Sequence, residues 1–184
     1  MRRIPALLFV VLCLSAFARP SSAQNQTSII RRLIHEFVGV GGYWFTDRTA
    51  NDALGSPKFT GTTSLFVKPA HRHNMLITGG IELVGASDHW LLGGGNEFSL
   101  SGAAFRVSGP RKQGIISPFV TGGAYIGHIR SERLGFSETT GAGSGAFGLE
   151  YKFHRYFTIT GRYRITTRMH GINTDGFAVS LKFF

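Results

Sequence analysis

The sequence predicts an all-β protein, an eight-stranded antiparallel up-and-down transmembrane β-barrel. Three observations predict it. The first is strict alternation near the C-terminus. Phe147, Leu149, Tyr151 and Phe153 alternate with Gly148, Glu150 and Lys152, and Phe157, Ile159, Tyr163 and Ile165 with Thr158, Thr160, Arg162, Arg164 and Thr166. Phe177, Val179, Leu181 and Phe183 then alternate with Ala178, Ser180 and Lys182. A period of two places successive side chains on opposite faces of a strand, here one apolar and one polar. The second observation is an export signal at the N-terminus. The third is that no later segment approaches the ~18 consecutive apolar residues of a membrane helix. A chain of this kind that spans a membrane must do so as a closed barrel, because an open sheet edge cannot sit in lipid.

The 184 residues fit one domain. Residues 1–23 read as a secretory signal peptide: basic Met1-Arg2-Arg3, an apolar run Ile4–Ala18, and small residues Ser21-Ser22-Ala23 before cleavage between Ala23 and Gln24. The single cysteine, Cys13, lies inside it, preceded by Leu12 and followed by more apolar residues, which does not fit a lipidation site. The mature chain therefore has no cysteine and forms no disulfide. Residues 24–35 are a periplasmic N-terminal lead. It is either a short helix capped by Ser28, with Ile29, Leu33 and Phe37 on one side, or an extended approach to the first strand.

Residues 36–184 form the barrel domain. The strand segments expected are Glu36–Thr46, Lys58–Lys68, Asn74–Ala86, Asn96–Ser108, Ile115–Arg130, Gly141–Phe153, Tyr156–Thr167 and Gly176–Phe184. Asp47–Pro57 between the first two is rich in turn formers, and Gly109-Pro110-Arg111-Lys112 turns the chain between the fourth and fifth. Connections after strands two, four and six read as short, and those after one, three, five and seven as longer. Short periplasmic turns and longer external loops have this asymmetry, and an even strand count returns both termini to the periplasm.

Four stretches carry a resemblance. They are Pro118-Phe119-Val120-Thr121-Gly122-Gly123-Ala124-Tyr125, Gly148-Leu149-Glu150-Tyr151-Lys152-Phe153, Gly161-Arg162-Tyr163-Arg164 and the terminal Phe184. In this order the chain resembles the small outer-membrane β-barrel proteins of the OmpA/OmpX type over about residues 36–184. The resemblance implies a place in the cell outer membrane of a Gram-negative bacterium, surrounded by outer-membrane lipid. It also implies insertion by the barrel-assembly machinery through a signal formed by Phe177, Val179, Leu181, Phe183 and Phe184. The family's outward apolar residues usually run in phase with the terminal aromatic; here Phe184 is one step out. No peptidoglycan-binding domain is expected after the barrel.

The polar face supplies the candidate site residues. Lys68, Glu82, Glu150, Lys152, Arg162, Arg164 and Lys182 are expected to form a lumenal charge network, because an eight-stranded barrel is just wide enough for its own side chains and buried charges must pair. Glu150 is expected to bond Arg162 or Arg164 across the hairpin between strands six and seven. No cofactor, metal or catalytic site is expected. His71-Arg72-His73 has no acid or cysteine near it in sequence, and the glycine runs lack the strand–loop–helix setting of a phosphate cradle. Arg168-Met169-His170-Gly171-Ile172-Asn173 approaches the pattern of a lipid-A deacylase, but Ile172 stands where that chemistry needs a hydroxyl. Ser87-Asp88-His89 and His128 with Ser131 match no known spacing.

Removing residues 1–23 takes Arg2, Arg3 and Arg19 from the 20 Lys and Arg and leaves the 10 Asp and Glu, for a net charge of +7. Export argues against nucleic acid as the partner of this charge. Basic residues concentrate on the expected periplasmic side, including Arg72, Arg111, Lys112 and Arg155, which suits weak contacts with peptidoglycan or anionic headgroups. The leading reading is a non-enzymatic outer-membrane barrel with a structural or surface-interaction role and a side-chain-filled interior. The alternatives are a narrow pore for small solutes, a lipid-A-modifying enzyme, and a secreted soluble barrel of lipocalin type. The last would reverse the polarity of the two faces.

Overall fold

The computed structural model describes residues 34–72, 75–88, 95–110 and 112–183, with side chains for all but 34–37 and 67–72. The signal peptide, the Ala23–Gln24 cleavage site, residues 24–33 of the lead, and Phe184 lie outside these residues. The strands are β1 (Ile34–Phe45), β2 (Lys58–Arg72), β3 (Met75–Ser87), β4 (Glu97–Ser108), β5 (Ile116–Ser131), β6 (Phe136–His154), β7 (Phe157–Thr166) and β8 (Gly176–Phe183), with one helix, α1 (Arg48–Leu54), between β1 and β2. Each strand pairs antiparallel with the next, and β1 pairs with β8 to close the barrel. The sheet thus has the strand count, order and closure that the alternation predicts.

Beyond boundary shifts of one or two residues, which include Ile34 and His35 of the expected lead joining β1, three features differ from expectation. β2 continues through Arg72, past a register shift between Val67 and Ala70. Pro69, which has no N–H for the ladder, sits at that shift. β6 begins at Phe136, so the connection after β5 is only 132–135, while the turn after β4 spans 109–115. The expected alternation of short and long connections therefore fails at this pair. Residues 137–140 are polar on both faces and read as loop, yet with Phe136 they continue the ladder from Phe136↔Ser131 to Thr140↔Gly127. Finally, the turn-rich stretch Asp47–Pro57 contains α1. Asp47 caps it by accepting from Thr49 N at 2.8 Å, and Gly55, at φ 80°, ends it. Ala50, Ala53 and Leu54, at spacings of three and four, form its buried face.

The polarity of the wall is that of a barrel in lipid. Ile77, Ile81, Phe105, Val120, Ile126, Phe147, Leu149 and Ile165 are exposed on the outside, while Thr60, Thr62, Glu82, Arg106, Thr160, Arg162, Arg164 and Lys182 are buried within. An apolar surface of this extent has no place in water, which rules out the lipocalin-like alternative. Two aromatic groups mark the wall near its ends. Phe147, Tyr163, Phe177 and Trp44 occupy directly paired positions across β6, β7, β8 and β1. Phe153, Phe157 and Phe183 lie toward the chain termini, with ring centroids 6.1 and 5.5 Å apart. Such girdles sit at the two membrane–water interfaces of transmembrane barrels.

Several inward positions are glycine because neighbouring strands approach too closely for a side chain. A Cβ on Gly41 would lie 1.9 Å from Val179 O, and one on Gly80 would lie 1.9 Å from Leu65 O. In both cases the obstacle is backbone, which cannot swing away. Gly61 on the outer wall has nothing within 4 Å of that position. Gly41→Ala is therefore expected to lower the yield of refolded barrel and destabilise what folds by about 1–3 kcal/mol, whereas Gly61→Ala leaves the urea midpoint near wild type. Heat-modifiable gel migration and urea titration in micelles measure both.

Candidate functional site: the barrel interior and its loop-end mouth

Among the described residues the interior has two carboxylates, and each is a node joining strands that are not neighbours. Glu82 of β3 accepts from Tyr125 OH of β5 at 2.7 Å and from Arg164 Nη2 of β7 at 2.9 Å to both oxygens. Arg162 Nη1, also on β7, reaches Glu82 Oε1 at 3.3 Å, and its Nη2 donates to Thr62 Oγ1 of β2 at 3.0 Å. Glu150 of β6 pairs with Arg106 Nη2 of β4 at 2.6 Å and Lys182 Nζ of β8 at 3.2 Å. Glu82 thus ties β3, β5 and β7, and Glu150 ties β4, β6 and β8. Phe119 of β5 lies beneath the second node, its ring centroid 4.0 Å from the Arg106 guanidinium carbon and 5.7 Å from Lys182 Nζ. A cation on the face of a ring is attracted by its quadrupole.

The expected bond from Glu150 to Arg162 or Arg164 is not made. Register explains this: Glu150 stands opposite Thr160, while Arg162 and Arg164 stand opposite Gly148 and Ala146. Both arginines extend across the lumen to Glu82 instead. Arg106 was absent from the expected set and belongs at its centre. Its signal was parity alone, since it alternates with the outward Phe105 and Val107. Lys152, at the end of the β6 inward row, is half-buried. The side chain of Lys68 lies outside the described residues.

Toward the ends that lack the termini the interior turns apolar. Tyr43, Phe45, Val84, Phe98, Leu100 and Ile129 form a buried cluster, and two connections close over it. α1 adds Ala50, Ala53 and Leu54; Met169 and Ile172 come from the connection between β7 and β8. Those two residues exchange backbone hydrogen bonds at 3.0 and 2.9 Å around His170 (φ 51°) and Gly171 (φ 73°). Positive φ at both central positions is the type I′ hairpin geometry. It sends Met169 and Ile172 inward and leaves His170 outside, stacked on Phe136 at 4.5 Å with Nδ1 against Glu138 Oε2. Ile172, at the position where a deacylase would need a hydroxyl, is part of this plug. The His128–Ser131 candidate separates: Ser131 Oγ points inward to Ala53 O at 2.5 Å, while His128 is on the outer wall with Thr139 and Glu97. His73 and His89 lie outside the described residues.

A further ion pair holds the mouth on the β2–β3 side. Lys58, fully buried, contacts Asp88, whose second oxygen accepts from Asn96 N and Nδ2 at 3.0 Å each. Burial pushes the Asp88 carboxyl up, but the Lys58 ammonium and the two Asn96 donors outweigh it and hold the carboxyl below its usual value. Asp47 is likewise held low by its two Thr49 bonds, as an N-cap should be.

Two predictions follow from this geometry. Glu82→Gln leaves Arg162 and Arg164 facing a neutral amide, and breaking a buried pair on one side costs about 3–5 kcal/mol; Arg130→Ala, which removes an exposed pair with Glu132, changes stability by less than about 1 kcal/mol. Urea titration in micelles reads both. For Asp88 the folded-state pKa is depressed, so its contribution is present above the unfolded carboxylate pKa and is lost as pH falls through the folded one. Asp88→Asn is expected to narrow its stability deficit relative to wild type as pH is lowered through the carboxylate range; a deficit independent of pH there would contradict this assignment.

No known family model matches the chain, and no curated protein sequence matches it. Among solved structures the chain is similar to Neisserial surface protein A at 9% identity and a TM-score of 0.45, covering 82% of this chain and 94% of that one. It is also similar to Ail, the attachment invasion locus protein of Yersinia pestis, at 10% identity and a TM-score of 0.47, covering 82% and 95%. The Ail backbone determined in a phospholipid bilayer nanodisc gives 14% identity and a TM-score of 0.43, covering 82% and 98%.

Proposed function

We propose that this chain is a non-enzymatic outer-membrane protein whose barrel is a closed scaffold, and whose function lies in what its loop end presents outside the cell. One observation carries the reading: among the described residues, packed side chains occupy the lumen at its loop end and again below it. An apolar plug closes the loop end, and the Glu82 and Glu150 nodes span the section below it. The exposed apolar wall with aromatic residues near both ends supports residence in a bilayer. The basic N-terminal start of the sequence and the apolar run after it support export.

In this reading the ends that carry the termini face the periplasm, and the connections 46–57, 88–96, 132–135 and 167–175 face outward. The Phe177–Phe183 row serves as the insertion signal for the barrel-assembly machinery. Arg72, Arg111, Lys112, Lys152 and Arg155 meet anionic headgroups or peptidoglycan at the inner rim through weak, salt-sensitive contacts.

The test has two arms. Cell fractionation with heat-modifiable migration is expected to place the protein in the outer membrane; recovery in the soluble fraction would sink the reading. Reconstituted in planar bilayers, the wild type is expected to give no steady single-channel conductance. Steady channels from the wild type would instead establish the narrow-pore alternative.

A further inference from the structure

Two turns at the terminal end of the barrel are bound together. Gly114 N, in the turn between β4 and β5, donates to Lys152 O at 2.9 Å, and Gln113 Nε2 donates to Phe153 O at 3.3 Å. Both acceptors lie at the end of β6, just before His154 pairs with Phe157 and closes the two-residue turn Arg155-Tyr156. Lys112 and Arg155, both exposed, therefore share one stretch of the rim. No described carboxylate stands there. Glu150, the acid nearest in sequence to Arg155, is buried in the lumen with Arg106 and Lys182. Asp47, Asp52, Asp88, Glu97, Glu132, Glu138 and Asp175 belong to the loop end.

The same stretch runs into apolar surface. The Arg155 guanidinium carbon lies 4.5 Å from the Tyr156 ring centroid. Tyr156 is 47% exposed and Phe153 41%. Beyond them, toward the middle of the wall, Ile116, Tyr151 and Ile159 hold directly paired positions across β5, β6 and β7 and are exposed outward. A molecule seated here meets cations first, then aromatic rings, then an apolar wall. Aromatic rings with basic neighbours suit the interface between headgroups and hydrocarbon. The exposed Arg130 at the loop end differs, since it pairs with Glu132 at 3.0 Å. Cell-wall polymer is polar along its length, so it would use the cations and leave the apolar surface idle. An amphiphile with an anionic head uses both.

We propose that this sector of the rim binds one anionic phospholipid of the surrounding leaflet. Arg155 and Lys112 hold its phosphodiester, Tyr156 and Phe153 flank the headgroup boundary, and an acyl chain lies along Ile116, Tyr151 and Ile159. A guanidinium suits a phosphate because its planar donors match two oxygens at once. The inference rests on the reading of the chain as an outer-membrane barrel whose termini face the periplasm. Within that reading it assigns the rim to lipid in place of cell-wall polymer, and to the β5–β7 sector in place of the whole circumference.

Phosphatidylglycerol is the probe. The isotope-labelled protein is placed in phosphatidylcholine nanodiscs, and the share of phosphatidylglycerol is raised while backbone amide resonances are followed. Saturating shifts are expected at residues 113–115 and 153–157 and not at the loop end. Shifts spread equally over both ends, or none, would overturn the proposal. Combining Lys112→Gln with Arg155→Gln is expected to raise the phosphatidylglycerol share of half-maximal shift at least about tenfold, since each basic residue near a membrane surface contributes about fivefold; an unchanged share would also overturn it. Arg130→Gln is expected to leave that share at the wild-type value, and a rise equal to that of the double variant would mean that general surface charge is being read. A soluble muropeptide that moves the same amides in phosphatidylcholine alone, where phosphatidylglycerol moves none, would give the patch to cell-wall polymer. Heat-modifiable migration checks that each variant is folded, and cell fractionation reads outer-membrane placement separately. A wild type found in the outer membrane without these shifts therefore defeats the lipid site alone.

Discussion

A carboxylate buried at the centre of the barrel is the interaction on which the rest depends. Glu82 is nearly inaccessible, with two guanidiniums and a phenol bound to it. In a medium that solvates ions poorly, none of these partners can leave without exposing the others to an unpaired charge. Neighbouring strands are already joined by backbone hydrogen bonds, which say nothing about the shape of the closed ring. The two carboxylates supply the missing constraint. One spans three odd-numbered strands and the other three even-numbered strands, so the cross-section is held across its interior as well as around its edge.

The two ends of the lumen solve the filling problem by different physics. Near the termini it is packed with ions, hydroxyls and an aromatic face under two cations. Near the loops it is packed like the core of a soluble protein, with α1 and the Met169–Ile172 turn as the last layer. Dispersion and apolar burial need no directional partner and tolerate the looser geometry of connections. Ion pairs need fixed geometry and are placed where the strands themselves supply it.

Much of this architecture was legible in the sequence because a barrel wall obeys a short-range rule. Phe177 to Lys182 announce inside and outside one residue at a time, and the structure keeps that phase. What could not be read was anything set by distance across the lumen. Adjacent residues on a hairpin invite pairing, as Glu150 with Arg162 did, but tilt and register decide which side chains meet across a closed sheet. Arg106 escaped notice because its strand is mostly small residues, Ala103-Ala104 before Phe105 and Arg106, and its weak alternation hid one large cation. α1 had a local signature: Asp47, then Ala50, Ala53 and Leu54 at helical spacing, then Gly55. The abundance of turn formers around it masked that signature.

The plug has a consequence for the seam where the chain's first and last strands meet. Residues on both sides of the seam are clasped at the loop end. Tyr43 OH donates to Thr174 O at 2.8 Å, Thr46 N to Asp175 O at 3.0 Å, and Asn173 N to Thr49 Oγ1 at 3.3 Å. At the other end the β1–β8 ladder, among the described residues, reaches Val38 and Phe183. Among the described residues, the bonds that clasp the seam beyond its ladder lie at the loop end. Opening it from the loop end means extracting Tyr43 and the helix from a packed core. Separating β1 from β8 at the loop end therefore has to break these bonds and unseat Tyr43 before any ladder bond there can yield.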